Sequence, residues 1–191
     1  MGLDLSGDPV KQHDFLNLLV LPLIALGSTV ATWTRNPRVS VTVINTLLSY
    51  MACDALYIAL RPQSVPSAKL VLFHHFVSVC GLSHGVRYPS AKVLVASYGL
   101  IEIHTSYMTF RRLTGLRSHA SELLFQATTV LVRLVIIPAL VILSFKNLYE
   151  LDVLFKLEGV PSLTAVLGLS FFNAQFLLKR KAMFNYTGKK E

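Results

Sequence analysis

The sequence predicts an all-α fold: a bundle of six transmembrane helices around a polar cavity that faces the cytosol. The chain has 191 residues, of which 53% are hydrophobic and only 15% are charged. The apolar residues stand in long blocks, as in multi-pass membrane proteins. A soluble helical bundle would show charged faces beside its apolar stripes, and the runs 139–145 and 163–172 contain no charge. A few ionisable residues interrupt the blocks at similar depths, which favours a shared interior site.

Six blocks are each close to the ~20 residues that a helix needs to cross the hydrocarbon core. They span 14–33, 39–60, 68–84, 91–110, 121–145 and 162–178. The breakers between them are Asn36-Pro37, Arg61-Pro62, Pro66, Tyr88-Pro89 and Gly159-Val160-Pro161. Pro22 and Pro138 lie inside blocks, where membrane helices tolerate them as kinks. We therefore expect one transmembrane domain over 14–178, a cytosolic segment over 1–13 and a basic cytosolic tail over 179–191.

The basic residues predict the orientation of the bundle. The formal net charge is +8, and the Lys and Arg residues cluster between the blocks and at the C-terminus. Eleven of them belong to the side that holds both termini, against six on the opposite side. The positive-inside rule then places both termini in the cytosol. Such clusters set topology more often than they bind nucleic acid, and no nucleic-acid motif accompanies them.

The polar residues inside the blocks fall in one layer. Counted from the cytosolic boundary at about 1.5 Å per residue, the layer lies roughly 6–13 Å deep. Its members are Asp54, His74, His75, Glu102, Thr105, Asn173 and Gln175. Arg133 starts deeper, but its long side chain can reach the same layer. Because these residues come from separate helices, we expect them to line a common pocket.

These residues resemble the motifs of the TLC-domain family, the membrane proteins that include the ceramide synthases. The resemblance covers nearly the whole chain. It rests on Trp33…Asn36…Val39-Ser40, Tyr50…Asp54, Lys69…Phe73-His74-His75, Glu102…Thr105…Arg111, Phe125…Arg133 and Asn173…Gln175-Phe176…Lys179. The aspartate pair of the synthases is missing from 101–105, and so is the histidine that many relatives carry after Ser40. The resemblance therefore favours the non-synthase branches, which are implicated in membrane lipid composition and homeostasis.

Two interpretations of the histidine pair remain open. In the first, His74 or His75 acts as a general base or transient acyl acceptor, oriented by Glu102 or Asp54. An amine or hydroxyl lipid would attack an acyl-CoA thioester, with acyl-CoA as co-substrate and no further cofactor. In the second, the pair hydrogen-bonds to the two carboxylates and locks the bundle.

The other polar residues carry similar alternatives. Glu102 is either a catalytic carboxylate or the counter-ion of Arg133, since an unpaired buried charge is costly. Asp54 orients a histidine or is protonated and hydrogen-bonded. The predicted lipid-binding residues are Thr105, Arg133, Asn173 and Gln175. His104 is expected to be a structural donor between helices, and His13, His84 and His119 to be solvated or interfacial.

Two further assignments concern metals and phosphates. No metal site is predicted, because adjacent histidines on a helix point about 100° apart and further ligands are too few. Arg111-Arg112 and the basic run 179–181 either grip lipid or CoA phosphates or serve only as topology determinants.

Three classes of function are compatible with the sequence. The first is a lipid-homeostasis protein that binds membrane lipid or an acyl chain, and the second is an acyl-CoA-dependent N-acyltransferase of ceramide-synthase type. The third is a membrane cargo or assembly factor. The ending Gly188-Lys189-Lys190-Glu191 resembles a dilysine retrieval signal with its lysines one place too close to the end. It favours the endoplasmic reticulum over other endomembranes or the plasma membrane, while the lipid and the oligomeric state stay open.

Overall fold

All secondary structure in the described part of the chain is helical, which confirms the predicted all-α class. The computed structural model describes residues 7–187. Its α-helices are α1 (Pro9–Thr34), α2 (Pro37–Leu60), α3 (Ala68–Arg87), α4 (Lys92–Ala96), α5 (Glu102–Thr114), α6 (His119–Thr129), α7 (Ile137–Glu150) and α8 (Val160–Thr187). Residues 1–6 of the predicted N-terminal segment and the dilysine-like ending lie outside the described residues.

Local sequence signals set the ends of the first two helices. The Asp8 carboxylate caps α1 by accepting from the backbone N–H groups of Val10 and Lys11, at 2.9 and 3.2 Å. Asn36 caps α2 in the same way, and Pro37 occupies the first helical position, where no N–H is needed. α1 consequently begins at Pro9, five residues before the predicted start of the first span.

The predicted fourth span is not one continuous α-helix. A 3-10 segment, Ser97–Ile101, separates α4 from α5. In this segment Gly99 packs directly on α1, because a Cβ at Gly99 would lie 2.0 Å from Ser28 Oγ. Ser97 contributes a second contact with α1, its hydroxyl lying 2.8 Å from that of Thr32. The 3-10 segment is thus a place where the chain packs closely on α1. The pattern of apolar residues in the sequence does not predict this contact.

The predicted fifth span is one long helix with an irregular centre. α6 and α7 form a continuous stretch, His119–Glu150, through the π-helical segment Val130–Ile136. Pro138 stands two residues after the end of that segment, and a proline removes one backbone N–H and crowds the preceding turn. A wider π turn before Pro138 accommodates both effects.

Three helices are long and apolar enough to cross a membrane: Pro9–Thr34, Pro37–Leu60 and His119–Glu150. They support a membrane protein, while membrane crossing by the other three predicted spans stays a prediction. Many large apolar side chains also point outward, among them Leu23 at 69% exposure and Ile142 at 67%. An outer surface of this kind suits hydrocarbon better than water.

Successive long helices run in opposite directions because their connections are short. The start of α1 lies beside the end of α5, where Arg112 pairs with the buried Asp14. We call this end of the bundle, which the basic residues predict to face the cytosol, the proximal end, and the opposite one the distal end. Between these two ends, α3 and α8 pack closely together. A Cβ on Gly168 of α8 would lie 2.4 Å from Val77 Cγ1 of α3. Small residues at helix crossings allow such approaches in membrane proteins.

Candidate functional site

A buried carboxylate joins three helices near the proximal end. Asp54 on α2 lies 2.8 Å from His13 Nε2 on α1 through Oδ1 and 2.6 Å from His75 Nε2 on α3 through Oδ2. All three residues are buried, with exposures of 8% or less. An ionised carboxylate only accepts hydrogen bonds, so both Nε2 atoms donate to it. We call His13, Asp54 and His75 the proximal cluster.

Neighbouring side chains extend the proximal cluster along α1 and α2. The Asn17 amide nitrogen lies 3.4 Å from His13 Nδ1, and the Tyr50 hydroxyl donates to Asn17 Oδ1 at 3.1 Å. The Tyr57 ring stacks on the His13 imidazole with 5.6 Å between centroids. These contacts hold the His13 ring in one orientation. On His75, by contrast, Nδ1 is buried without a hydrogen-bond partner among the described residues.

The two adjacent histidines of α3 face different surroundings. His75 bonds to Asp54, whereas the half-buried His74 turns toward α8 and meets the Phe172 ring edge-on at 5.0 Å. Neighbouring helical positions point about 100° apart, which explains the separation. The two imidazoles therefore have different partners, although their rings meet edge-on at 5.8 Å between centroids.

His74 lines a cavity of about 60 Å³ between α2, α3, α8 and the Ser97–Glu102 region. Its polar lining residues are His74, Ser78, Tyr98 and Glu102, and its other walls are apolar or glycine. At ~10–15 Å³ per enclosed water, this volume admits a few waters or the end of a ligand. The cavity runs from His74 and Glu102 toward Gly81 and Leu82, away from the proximal end. That the cavity faces the cytosol stays a prediction.

Glu102 and Arg133 interact electrostatically but do not form one of the direct ion pairs among the described residues. The Arg133 guanidinium lies 4.4 Å from the centroid of the Phe176 ring, a cation–π contact. Asn173 donates to the Arg133 carbonyl oxygen at 3.0 Å. Glu102 is itself buried at 8% exposure beside Thr105.

The structure thus divides the four predicted catalytic residues into two pairs. Asp54 and His75 belong to the proximal cluster, and neither lines the cavity. His74 and Glu102 face the cavity, with Arg133 near Glu102. Gln175 is half-buried on α8 and is not among the cavity walls. The polar groups predicted to lie in one layer therefore do not all line one cavity.

Two histidines expected to be solvated or interfacial are buried instead, and that expectation is wrong. His13 is 5% exposed because α1 begins earlier than predicted and its first turns pack on α2. His84 is 7% exposed because α3 continues to Arg87, which places His84 inside the helix. His119 is exposed, as expected.

A second polar cluster surrounds His84 at the distal end. His84 Nε2 lies 3.0 Å from Asn147 Oδ1 on α7, and His84 Nδ1 lies 2.8 Å from Ser162 Oγ on α8. We call His84, Asn147 and Ser162 the distal cluster. Its members are far apart in the sequence, and no local spacing signals their contact.

His104 and Arg111 contact α6, whereas Arg112 contacts α1. His104 Nδ1 lies 3.2 Å from the Thr128 hydroxyl, and its ring stacks on Phe125 at 5.3 Å. Arg111 is 5% exposed and donates to Glu122 at 2.7 Å. With Arg112 held by Asp14, both arginines of the predicted phosphate-binding pair already contact carboxylates. Among the described side chains, no three His, Cys, Asp or Glu residues are grouped as a metal site requires.

Comparison with known proteins gives no relative for this chain: no protein-family model, curated protein or solved structure matches it. Its resemblance to the TLC-domain family rests on the sequence motifs alone.

Proposed function

We propose that the protein is a TLC-type, six-pass membrane protein that binds a lipid or its acyl chain and thereby influences membrane lipid composition. An endoplasmic-reticulum location is part of the same proposal. The observation that carries it is the cavity in which His74 and Glu102 face apolar walls between helices. Ionisable groups at membrane depth are costly and usually serve a ligand, a pathway or a buried partner.

The lining of the cavity favours an amphipathic ligand. Leu47, Met51 and Leu169 supply apolar contacts for a hydrocarbon segment, and His74 and Glu102 supply hydrogen-bonding groups for its polar end. The enclosed volume of about 60 Å³ holds only part of a lipid. The remainder of the molecule would extend between the helices toward the bilayer.

Lipid binding is tested by filling the cavity. The protein and its Ser78→Leu variant are purified in mild detergent, and bound lipids are quantified by mass spectrometry. Ser78 lines the cavity, so a leucine there should reduce co-purified lipid by at least about tenfold, equivalent to ~1.4 kcal/mol of binding free energy. Ser90→Leu, at an exposed position outside the cavity, is the matched control. Equal lipid content in both variants would exclude this cavity as the binding site.

An acyl-CoA-dependent N-acyltransferase is the second candidate, and one observation favours it. Asp54 holds His75 through Nε2, which leaves the buried His75 Nδ1 without a partner. An imidazole oriented by a carboxylate in this manner is an effective general base. It would take a proton from the lipid amine as the new N–C bond forms. The thioester C–S bond then breaks, and CoA leaves as the thiol once that proton is returned to its sulfur.

The two candidates separate in a turnover assay. The purified protein receives a fatty acyl-CoA and a sphingoid base while CoA release is followed. For the enzyme, His75→Ala should lower the rate at least about 100-fold, the usual contribution of a general base. His119→Ala, which changes an exposed histidine, should leave it unchanged. Absence of turnover in a folded, lipid-loaded parent would reject the enzyme and leave the lipid binder.

A further inference from the structure

The distal cluster places a serine, a histidine and an asparagine in hydrogen-bonded series. The Ser162–His84 and His84–Asn147 distances are 2.8 and 3.0 Å, and the three residues come from α8, α3 and α7. His84 and Ser162 are 7% and 6% exposed. The Tyr88 ring covers the imidazole at 4.7 Å between centroids. The side chains are therefore held in place by separate helices, which a precise catalytic geometry needs.

The proton positions follow from the acceptor on Asn147. An amide oxygen cannot donate, so His84 Nε2 carries the hydrogen and donates to Asn147 Oδ1. In the neutral imidazole, Nδ1 is then the acceptor, and the Ser162 hydroxyl donates to it. The order is nucleophile, base and orienting group, the arrangement that activates serine in unrelated hydrolases.

Ser162 belongs to the wall of a groove at the distal end. His84 and Ser162 line a groove of about 450 Å³ at the distal end. Leu48, Val86 and Pro161 give the groove an apolar wall, and Arg87 lies at its polar side, 3.2 Å from Glu158. This combination suits an acyl chain next to a charged or polar headgroup.

Two further features suit acyl transfer. Ser162 stands in the first turn of α8, where the helix dipole stabilises negative charge that develops nearby. Behind the groove, His84, Asn147, Ser162 and Ser144 border a void of about 10 Å³. That is close to the space of one water molecule with several polar partners.

We propose that the distal cluster is a serine-dependent acyl-hydrolase site for carboxylic esters of membrane lipids. Ser162 Oγ attacks the ester carbonyl carbon while its proton moves to His84 Nδ1. The tetrahedral intermediate collapses, the C–O bond to the alcohol breaks, and the alcohol leaves with the proton from His84. A water molecule then gives one proton to His84 and attacks the acyl group, which leaves as a fatty acid while the proton returns to Ser162 Oγ.

A long-chain alkyl fluorophosphonate tests the proposal because it phosphonylates an activated serine and releases fluoride. Full-length protein in mild detergent is incubated with the probe, digested and analysed by mass spectrometry. The expected result is a phosphonate on Ser162 in the folded parent and none after heat denaturation. The folded parent without this adduct would overturn the proposal.

Three variants distinguish a Ser162 hydroxyl activated by His84 from one that is merely accessible to the probe. His84→Gln should slow labelling of Ser162 at least about 100-fold, since it removes the base. Asn147→Asp should retain labelling because it keeps an acceptor at His84 Nε2. Ser90→Ala removes an exposed serine outside the groove and should label at the parent rate.

Labelling of Ser162 by the fluorophosphonate should not depend on the proximal cluster or on the cavity beside His74. His74→Ala and His75→Ala should leave the phosphonylation rate unchanged, whatever they do to acyl-CoA turnover. Labelling of Ser162 at the parent rate in a folded His84→Gln protein would overturn the proposed activation. If His84→Gln does not fold, labelling is compared between Asn147→Ala and Asn147→Asp. Equal rates in those two variants would likewise contradict the assigned roles.

Discussion

The two buried histidine clusters lie at opposite ends of the bundle, and they differ in charge: one surrounds a carboxylate, and the other is a neutral hydrogen-bonded network. The proximal cluster centres on the Asp54 carboxylate, which accepts one hydrogen bond from each of two imidazoles. The distal cluster centres on His84 between an amide and a hydroxyl, with no carboxylate among the three. A buried charge is stable only when strong hydrogen-bond partners surround it. Losing one member of a neutral network leaves only uncharged polar groups without a partner, which costs less free energy. The comparison therefore predicts unequal losses of stability when each centre is removed.

The largest effect should follow Asp54→Ala. The substitution removes the acceptor of both His13 and His75, which are 5% exposed and would lose their main partner. Breaking a buried charged network in this way costs about 3–5 kcal/mol. The measurement is the free energy of unfolding in mild detergent. Glu150→Ala, which removes one partner of an exposed pair with Lys146, is the control and should cost no more than ~1 kcal/mol. Similar losses in the two variants would contradict a charged proximal network.

A smaller loss is expected for His84→Ala. The substitution leaves the Asn147 amide and the Ser162 hydroxyl without their histidine, at a cost of about 1–3 kcal/mol. The same unfolding measurement applies. A loss equal to that of Asp54→Ala would show that the two clusters do not differ in the way their charges predict.

The smallest effect distinguishes the adjacent histidines. His74→Ala removes edge contacts with the rings of His75 and Phe172, and aromatic pairs contribute about 0.5–1.5 kcal/mol. His75→Ala should cost more, because Asp54 keeps only one of its two donors. His119→Ala should stay within about 0.5 kcal/mol of the parent. Equal losses in the free energy of unfolding for His74→Ala and His75→Ala would indicate that the two histidines contribute to stability as a pair.

Part of the proximal cluster could have been predicted from spacing. His13 and Asn17 are four residues apart on α1, and Tyr50 and Asp54 are four apart on α2. Residues at this spacing share a helix face, so two polar faces were present in the sequence. The contacts among His84, Asn147 and Ser162 cannot be read from spacing, because the three residues belong to three different helices. Only the packing of α3, α7 and α8 brings them together.

The sequence by itself determined the helical class, most of the helix boundaries and the presence of ionisable groups within apolar blocks. Apolar runs, prolines and capping residues influence the backbone only within a few residues of their own position. Their effect on helix boundaries can therefore be predicted from the local sequence. The tertiary structure decided that His74 and His75 face different surroundings, that residues 97–101 form a 3-10 turn against α1, and that His13 and His84 are buried. Burial and side-chain contact depend on which neighbouring helix covers each face, and that is a property of the whole packed bundle.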